Sequence, residues 1–280
     1  MTRWGRHVPT GPPRPTVPTL LGMRTQEGAS SERAGSPAPP HPVARPWHRA
    51  LLAAGTSLLL AVPVAALAFA VRAESSAVGR LDVRAVVAAT EVTHERPALH
   101  AALVAWQEVT QPGWLVLVGS GVCLWVTRRH GMRSPAVWGV LTMLAAWGTS
   151  AALKVVVQRA RPVLDDPLAH AGGFSFPSGH ATGAAAVGAV VTVVLWPLLG
   201  PRARVLLPIT AATVALVTAV DRVALGVHHP SDVVAGLAVG GAVTAGSWLG
   251  WTRVARRAAL RDDVRASAPT TMQRSGHDGT

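Results

Sequence analysis

Long apolar segments separated by short polar ones dominate the middle of this 280-residue chain. A helix needs about 20 apolar residues to cross a hydrocarbon core about 30 Å thick. Five segments come near this length, at approximately 50–71, 135–157, 178–199, 203–220 and 232–251. A sixth segment is uninterrupted by polar residues only from Trp114 to Thr127, but it can begin near Ala98 if its helix is kinked at Pro112. The pattern therefore predicts six membrane-spanning helices.

The two ends of the chain lack this apolar pattern. Residues 1–48 are rich in proline, serine, glycine and arginine without apolar periodicity, so they cannot bury a core and are predicted to be disordered. The chain also ends in a polar, basic segment. We therefore expect a basic tail at 1–48, an all-α integral membrane bundle of six helices at 49–252, and a second basic tail at 253–280.

The net charge of +12 would suit a nucleic-acid-binding protein, but the basic residues cluster in the tails and in two short loops. Short cytoplasmic loops of membrane proteins are rich in lysine and arginine. With six spans, both tails fall on the same side as the basic loops at 128–133 and 202–204. We therefore expect both tails to be cytoplasmic and to meet anionic lipid headgroups, and we expect no nucleic-acid partner.

The cysteine and lysine content narrows the possible chemistry. Cys123 is the only cysteine, so neither a disulfide framework nor a cysteine metal site is available. No cluster of carboxylates suited to magnesium is evident, and we predict no metal. Lys154 is the only lysine among the 26 lysines and arginines, which draws attention to its position at the end of a predicted span.

Polar residues border or interrupt the last four spans, and ionisable side chains at membrane depth are usually functional. All of them fall on the outer side in the predicted topology. Taken singly, each group has an ordinary explanation: arginines flanking a span, a capped helix start, or a His–Asp hydrogen bond. The three groups are Lys154 with Arg159, Arg161 and Pro162; Pro177-Ser178-Gly179-His180; and Arg222 with His228 and Asp232.

The chemistry of these groups suits an anion. Two or three cations of the first group can converge on one anion, and the second group begins an apolar helix. Ser178 is predicted to cap that helix, whose free amides at Gly179 and His180 would form a phosphate site.

The third group pairs an imidazole with a carboxylate. Asp232 lies four residues after His228, so it can reach an imidazole nitrogen, set the tautomer and support positive charge. The neighbouring His229 is expected to point elsewhere on a helical turn and is given no role.

Together, Lys154-x6-Arg161-Pro162, Pro177-Ser178-Gly179-His180 and Arg222-x5-His228-x3-Asp232 resemble the three motifs of the type 2 phosphatidic acid phosphatase superfamily. One position departs from the family pattern, because Asp221 precedes Arg222 where serine is usual. We predict that Asp221 turns away from the pocket or pairs with a nearby arginine.

The resemblance implies a membrane phosphatase that needs neither metal nor cofactor. His228 would attack phosphorus, Asp232 would hold it, and His180 would protonate the leaving oxygen and then activate water. The residues that would bind the phosphoryl oxygens are Lys154, Arg161, Ser178, Gly179 and Arg222.

A site at the outer face of the bilayer implies an amphiphilic substrate. The candidates are polyprenyl diphosphate or monophosphate, phosphatidic acid and phosphatidylglycerol phosphate, and recycling of a polyprenyl carrier is favoured. Two alternatives remain open. One is a lipid phosphotransferase that shares the phosphohistidine, and the other is a non-catalytic binder or transporter of lipid phosphates.

Overall fold

The computed structural model describes residues 62–267, with side chains described for residues 62–253. Every regular element in this range is helical, so the all-α prediction is confirmed there. The tail at 1–48, the start of the first predicted span and residues 268–280 lie outside the described residues. The helices are α1 (Val62–Arg72), α2 (Ser76–His94), α3 (Pro97–Val109), α4 (Pro112–His130), α5 (Arg133–Val157), α6 (Gly179–Leu195), α7 (Pro201–Ala224) and α8 (Pro230–Ser267).

Four helices, α5 to α8, are long and apolar enough to cross a membrane. Two bent pairs also satisfy this criterion when each is taken together, α1 with α2 at 89° and α3 with α4 at 52°. The described residues therefore contain four to six spans, in accord with the six expected. The bend between α3 and α4 lies at Pro112, as predicted, because proline suits the first turn of a helix.

Helix α2 is an element that the apolar pattern did not predict. Charged residues interrupt its apolar positions, so the segment has no run long enough to suggest a span. Its buried face consists of Asp82, Val86, Thr90 and Thr93, which recur at helical spacing. The Thr93 hydroxyl donates to the carbonyl of Ala224 at 3.1 Å, which ties α2 to the end of α7.

Helix α6 lies at the centre of the bundle and contacts α4, α5, α7 and α8. Its closest neighbour is α8, because Gly236 and Gly240 of α8 lie directly against the α6 backbone. A Cβ atom on Gly236 would be 2.6 Å from the Ser178 carbonyl oxygen, and one on Gly240 would be 2.5 Å from that of Thr182. Small residues allow membrane helices to approach this closely. The contact places the start of α6 beside the start of α8.

Large apolar side chains cover the outside of the helices. Leu117, Leu141, Ile209 and Leu216 are each more than half exposed, whereas a soluble domain would bury most residues of this kind. Exposed apolar side chains of this kind are stable in contact with the hydrocarbon tails of lipids. Together with the long apolar helices, this exposure identifies a multi-pass membrane protein.

Candidate active site

The three motif groups meet at one end of the bundle. The first lies at the end of α5 and in the loop after it, the second begins α6, and the third lies at the end of α7 and the start of α8. The backbones are directly joined there, since the Ser178 amide donates to the Asp232 carbonyl at 2.9 Å. The electrostatic neighbours of His180 are Arg161, Arg222 and His228. The structure thus brings together residues that the sequence separates by up to 78 positions.

His228 is buried in the turn between α7 and α8, and its two ring nitrogens have different partners. Nε2 lies 3.2 Å from Nη1 of Arg161, and Nδ1 lies 3.2 Å from the hydroxyl of Ser175. Because a guanidinium can only donate, Nε2 must be the acceptor and the proton resides on Nδ1. The lone pair of Nε2 therefore points towards the cations.

Burial lowers the pKa of His228 to about 4, although Asp232 opposes the shift. The imidazole is consequently neutral at physiological pH. A neutral imidazole with a lone pair on Nε2 is the form that a nucleophile requires.

Asp232 holds His228 less directly than expected. The distance from His228 Nδ1 to Asp232 Oδ2 is 3.6 Å, which is too long for a good hydrogen bond. Ser175 bridges the gap, because its hydroxyl donates to Asp232 Oδ2 at 2.5 Å and lies 3.2 Å from His228 Nδ1. Ser175 is fully buried and was missed in the sequence analysis.

The expectation that His229 points elsewhere is wrong. Its amide donates to Asp232 Oδ2 at 2.8 Å, and its Nδ1 lies 3.3 Å from the same oxygen. The expectation assumed a helical turn, but residues 225–229 form an irregular connection before α8 begins at Pro230. His229 therefore contacts directly the carboxylate oxygen that Ser175 links to His228.

Arg159 differs from Lys154 and Arg161 in its partners. Its Nη1 donates to Asp232 Oδ1 at 2.7 Å and its Nη2 donates to Asp82 Oδ2 at 2.7 Å. Arg159 thus lies between two carboxylates rather than facing an anion site.

Lys154 and Arg161 are held by backbone carbonyl groups. The Lys154 ammonium donates to the carbonyl of Phe174 at 2.7 Å. Burial lowers the pKa of Arg161, with Asp232 opposing and Arg222 reinforcing the shift, yet a guanidinium remains charged at neutral pH. Among the described residues neither cation has a carboxylate partner, so their charge is available to an anion. The carbonyls that accept from Arg161 within 3.0 Å are those of Gly172, Gly173 and Val227.

Arg222 is almost completely buried and pairs with its neighbour Asp221. Its Nε donates to Asp221 Oδ2 at 2.8 Å, which confirms that Asp221 pairs with an arginine. Nη1 donates to the side chain of Gln107 on α3 at 3.0 Å, a contact that no motif indicated. The charge of Arg222 is therefore partly neutralised before any substrate binds.

The start of α6 carries the second motif as predicted. The Ser178 hydroxyl accepts from the Ala181 amide at 3.5 Å and caps the helix. His180 Nε2 is buried and has no hydrogen-bond partner within residues 62–253. Because an unsatisfied buried polar atom is costly, this nitrogen is suited to receive a ligand oxygen.

A cleft of about 880 Å³ opens beside this cluster, between the α1–α2 bend and the loop after α5. Its lining includes Arg159, Arg161 and His229, so it reaches the edge of the site. The part of the chain that the structure describes contains no group of three or more His, Cys, Asp or Glu side chains arranged to hold a metal ion.

Comparison with known proteins points to one family. The sequence model of the PAP2 superfamily matches residues 135–256, which include all three motifs. Phosphatidylglycerophosphatase B of Bacillus subtilis is 33% identical over 45% of this chain and 60% of its own length. Decaprenylphosphoryl-5-phosphoribose phosphatase of Mycolicibacterium smegmatis is 33% identical over 44% of this chain and 62% of its own length.

A third relative, the lipid A 1-phosphatase of Rhizobium etli, is 46% identical over a shorter stretch, 26% of this chain and 27% of its own length. The chain thus matches less than two thirds of the length of each of these relatives.

A solved structure shares the fold. The transmembrane PAP2-type phosphatidylglycerolphosphate phosphatase from Bacillus subtilis superposes with a TM-score of 0.59 at 24% identity, covering 78% of this chain and 99% of that one. The sequence match, the motif order and the helical architecture agree. Residues 135–256 of this chain therefore match the PAP2 superfamily, the type 2 phosphatidic acid phosphatases that the motifs resemble.

Proposed function

We propose that this chain is a membrane phosphatase that hydrolyses a phosphate monoester or diphosphate on a lipid through a phosphohistidine at His228. The observation that carries the proposal is the buried His228 Nε2, whose lone pair faces Arg161 at 3.2 Å. Uncompensated cations, a neutral nucleophile and an unsatisfied His180 at one end of the bundle suit phosphoryl transfer.

In the first half-reaction, Nε2 of His228 attacks phosphorus as the bond from phosphorus to the leaving oxygen breaks. The leaving oxygen takes the electron pair of that bond and a proton from Nε2 of the protonated His180 ring, which becomes neutral. Arg161 leaves Nε2 and binds the phosphoryl oxygens together with Lys154 and Arg222, while the amide of Gly179 and the start of α6 at Ser178 add partial positive charge.

Formation of the nitrogen–phosphorus bond makes the His228 ring cationic, with its proton retained on Nδ1. Ser175 and Asp232 stabilise that charge from the opposite side of the ring. In the second half-reaction, water attacks phosphorus and gives a proton to His180, and the nitrogen–phosphorus bond breaks. Inorganic phosphate leaves and His228 is neutral again.

The position of the site favours a lipid substrate. It lies at one end of a bundle with a lipid-facing exterior, and the names of the three relatives denote phosphatases. The arginine distribution supports cytoplasmic tails and an outer-facing site. Polyprenyl diphosphate, phosphatidic acid and phosphatidylglycerol phosphate are the substrates to test, and recycling of a polyprenyl carrier remains the favoured role.

The experiment measures phosphate release from these three lipids by detergent-purified protein in EDTA. The variants are His228→Ala and, as a matched control, His130→Ala at the exposed end of α4. We expect His228→Ala to lose at least about 1,000-fold in kcat, because it removes the nucleophile, and His130→Ala to retain activity.

Each other outcome identifies a different function. Phosphate release by His228→Ala at the wild-type rate would refute the proposed nucleophile. If the wild-type protein releases phosphate only when an alcohol acceptor is present, it is a phosphotransferase. Binding of the lipids without turnover under either condition would favour the binder or transporter.

A further inference from the structure

Asp232 is the end of a buried chain of charges that reaches helix α2. Arg159 donates from Nη1 to Asp232 Oδ1 and from Nη2 to Asp82 Oδ2, each at 2.7 Å. The side chains of Asp82 and Asp232 are 3% and 0% exposed, and that of Arg159 is 14% exposed. Water therefore cannot substitute freely for these contacts.

Asp82 is also fixed by the start of α8. Its Oδ1 accepts from the Ser231 amide at 3.0 Å, and its Oδ2 accepts from the Ser231 hydroxyl at 2.5 Å. The first amides of a helix have no partner within that helix and favour a negative group nearby. Asp82, which lies on α2 and 149 residues before Ser231, accepts from one of these amides. The Ser231 hydroxyl also accepts from Arg159 Nη1 at 2.6 Å.

We propose that Arg159, held by Asp82, is a positioning residue that orients the Asp232 carboxylate towards Ser175 and His228. This inference rests on the proposed function. Arg159 occupies Oδ1 of Asp232, which leaves Oδ2 to accept from Ser175 and from the His229 amide. Because Arg159 binds Oδ1, rotation of the Asp232 carboxylate is restricted, and Oδ2 stays directed towards Ser175 and His228.

The charge balance supports this role. Asp82, Arg159 and Asp232 together carry one net negative charge, which faces the His228 ring when it becomes cationic. Without Arg159, two buried carboxylates would lie close together without a cation between them, which is strongly unfavourable. Arg159 thereby offsets one of the two carboxylate charges and leaves the other for catalysis.

The contacts distinguish Arg159 from Arg161, which is only two residues away. Arg161 contacts the nucleophilic nitrogen of His228 and backbone carbonyls, whereas the side-chain partners of Arg159 are Asp82, Ser231 and Asp232. Arg161 is therefore a phosphate ligand, and Arg159 acts only through Asp232.

The test measures kcat, KM and competitive inhibition by inorganic phosphate for Arg159→Met, Asp82→Asn and the double variant. We expect Arg159→Met to lower kcat about 100-fold, as small misplacements of catalytic groups do, with KM and phosphate inhibition within about twofold of wild type. Asp82→Asn should lower kcat about tenfold, and the double variant should match Arg159→Met, because Asp82 acts through Arg159.

Two further variants complete the design. Arg161→Lys should raise KM and weaken phosphate inhibition about tenfold, because lysine cannot reproduce bidentate binding. Arg84→Met, an exposed arginine on α2 near Asp82, should leave all three parameters unchanged. If Arg159→Met cannot be purified, Arg159→Lys replaces it, since lysine keeps the charge but cannot bridge two carboxylates.

The inference is overturned if Arg159→Met weakens phosphate inhibition at unchanged kcat, which would make Arg159 a phosphate ligand. It is also overturned if the effects of Arg159→Met and Asp82→Asn multiply in the double variant. An active wild-type enzyme with either result refutes the positioning role alone. An inactive wild-type protein refutes the proposed function and the inference with it.

Discussion

The spacing between α6 and α8 should control activity, because α6 carries His180 and α8 carries Asp232. Gly236 lies at their contact, and a Cβ atom there would be 2.6 Å from the Ser178 carbonyl oxygen and 3.0 Å from Ala181 Cβ. Ordinary van der Waals contact begins at 3.4 Å, so Gly236→Ala requires the helices to separate by about 0.8 Å at this point. Backbone atoms on both sides leave no flexible side chain to absorb the displacement.

The displacement acts directly on the site. Ser178, which the alanine would push, donates its amide to the Asp232 carbonyl at 2.9 Å, and His180 is two residues further along α6. The shift would move His180 away from His228. A misplacement of about 1 Å can cost about 100-fold in rate, equivalent to about 2.7 kcal/mol of transition-state stabilisation. Overpacking should cost a further 1–3 kcal/mol or so in stability.

Gly241→Ala is a matched control, because it lies on the same helix and a Cβ atom there meets nothing within 4 Å. Both substitutions gain about the same 1 kcal/mol of helix propensity. In assays of phosphate release, kcat/KM of purified Gly236→Ala should therefore be about 30- to 100-fold lower than that of Gly241→Ala. The upper limit is the loss expected from a misplacement of about 1 Å. Activities within twofold of each other would show that helix spacing does not position the site.

Two other predictions follow from the surroundings of His228. Ser175→Ala should lower kcat about 10- to 100-fold, since a hydrogen bond to a charged group contributes about 1.5–3 kcal/mol. The control is Ser150→Ala, because Ser150 is a buried serine whose hydroxyl has no partner within residues 62–253. Equal effects of the two substitutions on kcat would contradict the bridging role of Ser175. Because burial lowers the pKa of His228 to about 4, the neutral nucleophile should persist below pH 6.5 and be lost only as the pH falls through about 4. This is checked by the pH profile of kcat/KM, corrected for the substrate's own ionisation near pH 6 or so, and a midpoint at 6.5 would contradict it.

The features that the sequence predicted correctly depend on local geometry. Ser178 caps α6 because capping involves residues only three positions apart. The bend at Pro112 follows from the constraints of proline at a helix start. The pairing of Asp221 with Arg222 joins adjacent residues. Such relations can be inferred without knowing which helices pack together.

The features that the sequence did not predict join distant segments. Ser175 lies 57 residues from Asp232, Gln107 lies 115 from Arg222, and Asp82 lies 149 from Ser231. Each resembles an ordinary polar residue in its local sequence, and only the packing of the helices gives it a partner. Helix α2 was missed for a related reason, because its buried face becomes recognisable only when it lies against the bundle.

The pairing of the cations then determines which charge is free to act. Arg159 pairs with two buried carboxylates and Arg222 with one, whereas Lys154 and Arg161 contact no carboxylate within the described part of the chain. Two uncompensated positive charges match the charge of about −2 on a phosphate monoester at neutral pH. Because His228 is neutral before attack, it does not alter this balance until the nitrogen–phosphorus bond forms. The ring then becomes cationic beside the net negative charge of Asp82, Arg159 and Asp232, so each new charge in the proposed reaction faces an opposite one already in place.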